Sequence, residues 1–149
     1  MTLFIILVAL AIFAIRNNTT WWLIVLPGTI VHETLHYVVG LVTGARPFNF
    51  NVVPNVTESS ICYGSVDFEN FNTFNATPTA LAPLLAIPLA LFAWPYVQGP
   101  HGFWGNLAII WVFGAVLAQS LPSRADWAIA LRHPVGLVLW TAIPAYLLM

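Results

Sequence analysis

The stretch TIVHETLHYVVGLV, Thr29 to Val42, places His32, Glu33 and His36 inside an otherwise apolar segment. Such a segment is typical of a helix that crosses a lipid bilayer. An ionisable side chain at the centre of a membrane helix costs about 2.5–3.5 kcal/mol on insertion scales, and it usually marks a functional site. The stretch therefore predicts a membrane-spanning helix that carries chemistry.

The composition of the chain is typical of an integral membrane protein. Of its 149 residues, 60% are hydrophobic and 6% are charged, whereas soluble domains carry about 25% charged residues. So few charges cannot cover a water-facing surface, and we expect the lipid bilayer to surround the protein. The formal net charge of -1 gives no reason to expect nucleic acid or an acidic partner. The length predicts a single domain over residues 1–149.

Cys62 is the single cysteine of the chain. One cysteine excludes both an intrachain disulfide and a cysteine-based zinc site. Because a free cysteine commonly behaves as a small apolar residue, we expect Cys62 to be buried.

We predict an α-helical integral membrane protein with about five transmembrane segments, because five apolar stretches follow one another along the chain. The first and last stretches, a leading helix over 1–15 and a terminal helix over 134–149, are short for a hydrocarbon core of about 30 Å. The third stretch contains four prolines, which predict a kinked or broken helix. The five stretches are Met1–Ile15, Trp21 to about Thr43, about Thr77–Val97, about Phe103–Leu121 and about Pro134–Met149.

A polar region, Gly44 to Asn75, separates the second stretch from the third. It contains FNFNVV (Phe48–Val53) and ICYGSVDF (Ile61–Phe68), which are rich in the aromatic and β-branched residues that favour strands. PNVTESS (Pro54–Ser60) lies between them and is typical of a turn. We predict a small membrane-associated β-hairpin that lies against the membrane surface. An irregular loop remains the alternative.

The arginines favour one orientation of the chain in the membrane. Arg46, Arg124 and Arg132 fall in the loops after the second and fourth stretches, whereas Arg16 lies on the other side. By the positive-inside rule, the N-terminus, the hairpin and the Arg124–Arg132 loop are expected in the cytoplasm.

His32 and His36 are four residues apart, which places them on one face of a helix, one turn from each other. Two imidazoles in this arrangement can bind one Zn²⁺, and we predict one such ion per chain. Glu33 is next to the first of these ligands and can take a proton from water activated at the metal. This is the H-E-x-x-H arrangement of zinc metallopeptidases.

Zinc needs a third protein ligand, and Asp126 is our prediction. It lies in SLPSRADWAIAL, where Pro122 would break a helix just after a long apolar run. A broken helix at membrane depth is tolerated where it is buried or lines a cavity. In the alternative reading, Asp126 pairs with Arg124 or Arg132 at the membrane edge. The other candidates are Glu58, Asp67, Glu69, His101 and His133.

These residues resemble the site-2 protease family of intramembrane zinc metalloproteases. HETLH in the second stretch matches the first motif of that family, and Asp126 beside a proline-containing break matches the second. In many members a glycine follows the aspartate, whereas Trp127 follows it here. A β-rich segment directly after the first motif and a leading helix before a three-helix core also match. The resemblance covers about residues 21–131, and the chain would be a nearly minimal member.

The resemblance implies a zinc-dependent endopeptidase that cuts a transmembrane protein substrate in or near its membrane segment. Glu33 would be the catalytic base, with the metal held by His32, His36 and Asp126. A substrate peptide could pair with Phe48–Val53 or Ile61–Phe68 by strand addition. This makes Phe48, Phe50, Val52, Tyr63 and Ser65 candidate substrate-binding residues, with Asn106 as a candidate for stabilising the oxyanion. In the alternative reading, the hairpin is a lid that covers the site.

Other functions remain open at this point. The same ligands would serve a non-catalytic membrane protein that senses or holds zinc, or a scaffold in which the motif is coincidental. A metal transporter would need several polar residues along its route, and the first, third and fifth stretches offer almost none. Since water must reach the metal, we expect a multi-pass protein whose site opens to the cytoplasmic side. A homo-oligomer is compatible with the sequence.

Overall fold

The fold is mostly helical, and two helical stretches are long and apolar enough to cross a bilayer. The computed structural model describes residues 2–15, 22–56 and 61–147. Within these ranges the two stretches are Trp22–Val42 and Ala76–Val97, which correspond to the second and third predicted segments. Shorter apolar helices cover Thr2–Ile12 and Gly102–Ala118. The length and composition of the helices support two membrane-spanning segments and not the predicted five.

The described part of the chain folds into seven α-helices and four short strands. The helices are α1 Thr2–Ile15, α2 Trp22–Val42, α3 Ala76–Leu81, α4 Ala86–Ala93, α5 Gly102–Ala118, α6 Arg124–Arg132 and α7 Pro134–Leu147. The strands are β1 Pro47–Asn51, β2 Asn55–Val56, β3 Ile61–Cys62 and β4 Ser65–Phe68.

Proline interrupts the third apolar stretch, as the sequence predicts. Two 3₁₀ segments, Ala82–Leu85 and Trp94–Val97, divide it, and each has a proline in its first two positions. Proline lacks the N–H that an α-helix needs, so the backbone tightens or breaks where it occurs.

Helices α2 and α5 pack closely and run in the same direction. The Trp111 indole donates to the carbonyl of Ile24 at 2.8 Å. One turn further along both helices, a Cβ added at Gly28 would lie 2.1 Å from the carbonyl oxygen of Ala115. Only glycine allows this approach, which brings the C-terminal end of α5 to the middle of α2.

A small core lies where α1, α2 and α5 meet, and it consists of Ile12, Val25, Ala115 and Ala118. Many large apolar side chains lie on the outside instead, such as Leu3, Phe92 and Trp104. An apolar exterior around a small core is what a lipid surrounding favours.

The predicted β-hairpin is present. β1 pairs antiparallel with β4, and β2 pairs antiparallel with β3. The predicted strand boundaries are partly wrong. β1 ends at Asn51 and not at Val53, residues 63–64 interrupt the second predicted strand, and Asn55 and Val56 belong to a strand and not to the turn. Residues 57–60 of the predicted turn, which include Glu58, lie outside the described residues.

The hairpin runs back along α2. Near the C-terminal end of α2, a Cβ added at Gly40 would lie 2.4 Å from the Phe68 ring. At the other end, the Trp22 indole donates to the carbonyl of Val52 at 2.9 Å. The hairpin therefore lies beside a candidate membrane span.

Asn75 holds the connection between the hairpin and α3, and its side chain is fully buried. Its Oδ1 accepts from the Asn72 N–H and its Nδ2 donates to the Asn70 carbonyl, each at 2.8 Å. Since Asn75→Ala leaves both backbone groups without a partner, we expect it to lower the free energy of unfolding by about 1–3 kcal/mol. Thermal unfolding in detergent measures this. Asn106→Ala is the control, since the Asn106 side chain makes no hydrogen bond within the described ranges.

Candidate metal centre

Three potential metal ligands converge beside the middle of α2. The Nε2 atoms of His32 and His36 are 3.1 Å apart. The Oδ2 of Asp126 lies 3.6 Å from the Nε2 of His32, and its Oδ1 lies 3.4 Å from the Nε2 of His36. The Asp126 residue is 9% exposed and the His36 residue 6% exposed. This cluster could hold a metal ion.

Backbone carbonyls orient both imidazoles. The Nδ1 of His32 lies 2.7 Å from the carbonyl oxygen of Gln119, and the Nδ1 of His36 lies 2.7 Å from that of Thr79. A carbonyl oxygen can only accept, so each Nδ1 carries the proton and donates it. In the neutral ring, each Nε2 then presents a lone pair to the other and to Asp126. Three lone-pair donors at this spacing repel one another unless a proton or a metal ion lies between them, so the donor set fits a metal ion.

Proline helps to make these two carbonyls available. Inside an α-helix, the carbonyl of Thr79 would accept from the N–H four residues later, but that residue is Pro83. This carbonyl accepts instead from the Ala82 N–H and keeps a lone pair for His36. Gln119 follows the last residue of α5, where carbonyls have no partner within the helix. The breaks in the two apolar stretches thus supply the groups that fix the histidine rings.

Asp126 is positioned by the start of α6. Its Oδ2 accepts from the Ser123 N–H at 2.6 Å, and the Asp126 N–H donates to the Ser123 hydroxyl at 3.2 Å. Burial alone would raise the pKa of Asp126, but the contacts with His32 and His36 hold it well below its ordinary value. The carboxylate is therefore ionised at neutral pH and available to a cation.

The carboxylate of Asp126 faces the two histidines, and within the described ranges it makes no ion pair with Arg124 or Arg132. The alternative of an edge aspartate paired to an arginine is therefore wrong.

Glu33 lies in the same cavity as the three ligands and is 6% exposed. The loop between β3 and β4 lies directly over it. A Cβ added at Gly64 would be 2.7 Å from the Cγ of Glu33 and 2.8 Å from its Oε1. The hairpin can approach the carboxylate this closely because residue 64 has no side chain.

The cavity has a volume of about 650 Å³. Helix α2, the second half of the hairpin and the first turns of α6 form most of its wall. From the hairpin, every residue from Ile61 to Phe68 lines it, including Tyr63 and Ser65. Cys62 also lines it and is exposed, against the expectation that it is buried.

The first half of the hairpin lies away from the cavity. Phe48, Phe50 and Val52 do not line it, and both phenylalanines are exposed. The Phe50 ring packs instead edge-on to Tyr37, with the ring centroids 6.1 Å apart. The structure thus places these three candidate substrate-binding residues outside the cavity, and their role stays a prediction.

Asn106 is also far from the cluster. It lies near the start of α5, thirteen residues before Gln119, which is about 20 Å along a helix. Gln119 lines the cavity, and its side-chain amide makes no hydrogen bond within the described ranges. Gln119 is not among the site residues predicted from the sequence. The signal available was a polar side chain placed directly before the Pro122 break.

The remaining candidates for the third ligand lie outside the cluster. Asp67 accepts from the Asn49 amide at 2.7 Å, and the exposed His101 contacts the carbonyl of Val97 at 2.9 Å through its Nε2. Glu69 is exposed and His133 is half-buried. Of the five alternatives, the four that the structure describes are thus separate from His32 and His36.

Comparisons with models of known protein families, with curated proteins and with solved structures found none that matches this chain. The function is therefore inferred from the residues of the site.

Proposed function

We propose that the protein is a zinc-dependent endopeptidase that cleaves peptide bonds in or beside the transmembrane segments of other proteins. The observation that carries this proposal is the cluster of His32, His36 and Asp126 with Glu33 in the same cavity. The motifs of the chain resemble those of the site-2 protease family.

Zinc is the ion that the ligand set favours. With bonds of about 2.0–2.1 Å to each ligand, a tetrahedral zinc site has ligand atoms about 3.3 Å apart. Here the two imidazole nitrogens are 3.1 Å apart, and each lies 3.4–3.6 Å from one of the two carboxylate oxygens of Asp126. Calcium and magnesium prefer oxygen ligands, so two imidazoles disfavour them. Three protein ligands leave a fourth position open, as in catalytic zinc sites.

A zinc ion held there would polarise the scissile carbonyl and lower the pKa of water to about 7. The carboxylate of Glu33 would accept a proton from the attacking water and pass it to the leaving amine. Gln119 would donate a hydrogen bond from its free amide to the oxygen of the scissile carbonyl.

The cavity suits an extended peptide. An α-helix with its side chains is about 10–12 Å wide, and it hides its carbonyls from attack. A cavity of about 650 Å³ is too small for two turns of such a helix. The wall formed by Ile61–Phe68 offers a strand with which an unwound substrate can pair, and Tyr63 and Ser65 would contact it.

The remaining parts of the proposal concern the membrane. We also propose that the chain has five transmembrane segments and that the cavity opens to the cytoplasm beside the bilayer surface. Both features suit cleavage of a membrane-embedded substrate by water. They rest on the apolar stretches and on the arginines of the sequence.

Reconstitution into vesicles tests the proposed function. Purified protein and a panel of tagged single-span proteins are incorporated together, and cleavage is followed on gels. We expect at least one substrate to be cut, with cleavage abolished by 1,10-phenanthroline and restored by zinc. Cleavage that continues in metal-free protein would overturn the proposal. So would protein that holds one zinc per chain and cuts none of the panel.

Gln119→Leu tests the proposed amide donor. We expect kcat to fall by about 10²-fold because one hydrogen bond to the developing negative charge is lost. Zinc content and KM should stay close to those of the wild type, since the backbone carbonyl that orients His32 is kept. Asn106→Leu is the matched control and should leave kcat unchanged. A similar loss in both variants would place the effect in the packing of α5.

A further inference from the structure

Arg124 is a cation with no acidic partner at the site. It is the first residue of α6, it is exposed, and it lines the same cavity as Glu33 and the three ligands. Within the described ranges, the ion pairs are those of Asp126 with His32 and His36, so no carboxylate lies within 4.0 Å of the Arg124 guanidinium.

The acidic residues that line the cavity have other contacts. Asp126 faces the two histidines and Ser123. The Oδ2 of Asp67 accepts from the Asn49 amide. Glu33 lies beneath the hairpin loop at Gly64. The positive charge of Arg124 is thus available to a molecule that enters the cavity.

We propose that Arg124 binds a carboxylate of the substrate, from an acidic side chain or from a peptide C-terminus close to the scissile bond. This inference rests on the proposed function and specifies its substrate class. A guanidinium is planar and can donate two parallel hydrogen bonds to a carboxylate, so it recognises both the charge and the shape of that group.

The inference also predicts where the scissile bond lies along the substrate. A carboxylate is costly within the apolar part of a membrane segment. A bound substrate that presents one to Arg124 therefore has its scissile bond near the end of its apolar segment and not at the centre.

Paired peptides test the inference with purified full-length protein in detergent. The cleavage position is first located by mass spectrometry. The peptides then differ by Glu or Gln at each position near the cut, and each is made with a free or an amidated C-terminus. These two comparisons distinguish binding of a side-chain carboxylate from binding of a C-terminal carboxylate.

We expect the wild type to show a kcat/KM about five-fold higher for the peptide that carries the carboxylate, as for a partly exposed ion pair. Arg124→Gln should remove this preference, and Arg124→Lys should keep part of it. Arg132→Gln is the matched control on the same helix, because Arg132 does not line the cavity, and it should keep the full preference.

Equal cleavage of all peptides by the wild type would overturn the inference and leave the proposed function standing. So would a preference that survives in Arg124→Gln. A rate in vesicles that follows the content of anionic lipid, and not the charge of the peptide, would assign Arg124 to lipid phosphate and would also overturn it. The absence of any Glu33-dependent cleavage overturns the proposed function, and the inference with it.

Discussion

Replacing Glu33 with glutamine is expected to lower the rate of peptide-bond cleavage by about 10³-fold while one zinc stays bound per chain. The amide keeps the shape of the side chain but cannot accept a proton, and general acid–base catalysis contributes about 10²–10⁴-fold. The three ligand side chains are unchanged. The measurements are turnover of a transmembrane substrate and metal analysis of the same purified sample.

Glu69→Gln is the matched control for this prediction, because Glu69 is exposed and does not line the cavity. It should cleave at the wild-type rate. Turnover that persists in Glu33→Gln would remove Glu33 from its proposed role. A non-catalytic zinc sensor would bind zinc in every variant and show no Glu33-dependent cleavage in any of them.

Removing one metal ligand is expected to empty the site. Asp126→Asn keeps an oxygen for the Ser123 N–H, so α6 can still begin normally, but the ligand loses its negative charge. Even outer-shell substitutions weaken metal binding by about 10–100-fold, so we expect zinc affinity to fall by at least about 100-fold. Zinc titration with a competing chelator measures this, and cleavage should fall together with occupancy.

His36→Ala should give the same loss of zinc by a different route, since it removes an imidazole from α2. Asp67→Asn is the control, because Asp67 lines the cavity without belonging to the cluster. Full zinc occupancy in both Asp126→Asn and His36→Ala would contradict a site built from these ligands. Loss in Asp67→Asn as well would point to a general loss of folding.

The ligand cluster could be predicted from the sequence for two separate reasons, one for the histidines and one for the aspartate. The spacing of His32 and His36 fixes their relation on a helix. The choice of Asp126 follows from the small number of ionisable residues in so apolar a chain. The structure brings these three side chains together. Their identity as zinc ligands stays a prediction.

The groups that orient the histidines could not be chosen from the sequence. They are the backbone carbonyls of Thr79 and Gln119, and every residue has a carbonyl. Pro83 and Pro122 indicate that some carbonyls nearby lack their α-helical donor. Which ones meet His32 and His36 depends on how α3 and α5 pack against α2.

The strand of the hairpin that faces the site could not be predicted from the sequence either. Its two strands have similar compositions, so the sequence predicts their pairing but not which of them faces the site. That choice depends on Gly64, whose missing side chain lets the second strand lie on Glu33. The sequence also does not indicate which end of α5 lies near the cluster, and Asn106 lies near the far end.

Four helices meet at the cluster: α2 supplies the imidazoles, α6 the carboxylate, and α3 and α5 the carbonyls that hold the rings. A bound cation would therefore link these four helices as well as take part in the reaction. A ligand that binds the folded state alone stabilises it in proportion to the logarithm of its concentration. Metal depletion in a cell would then loosen the whole assembly and expose it to degradation, so that loss of activity and loss of the protein go together.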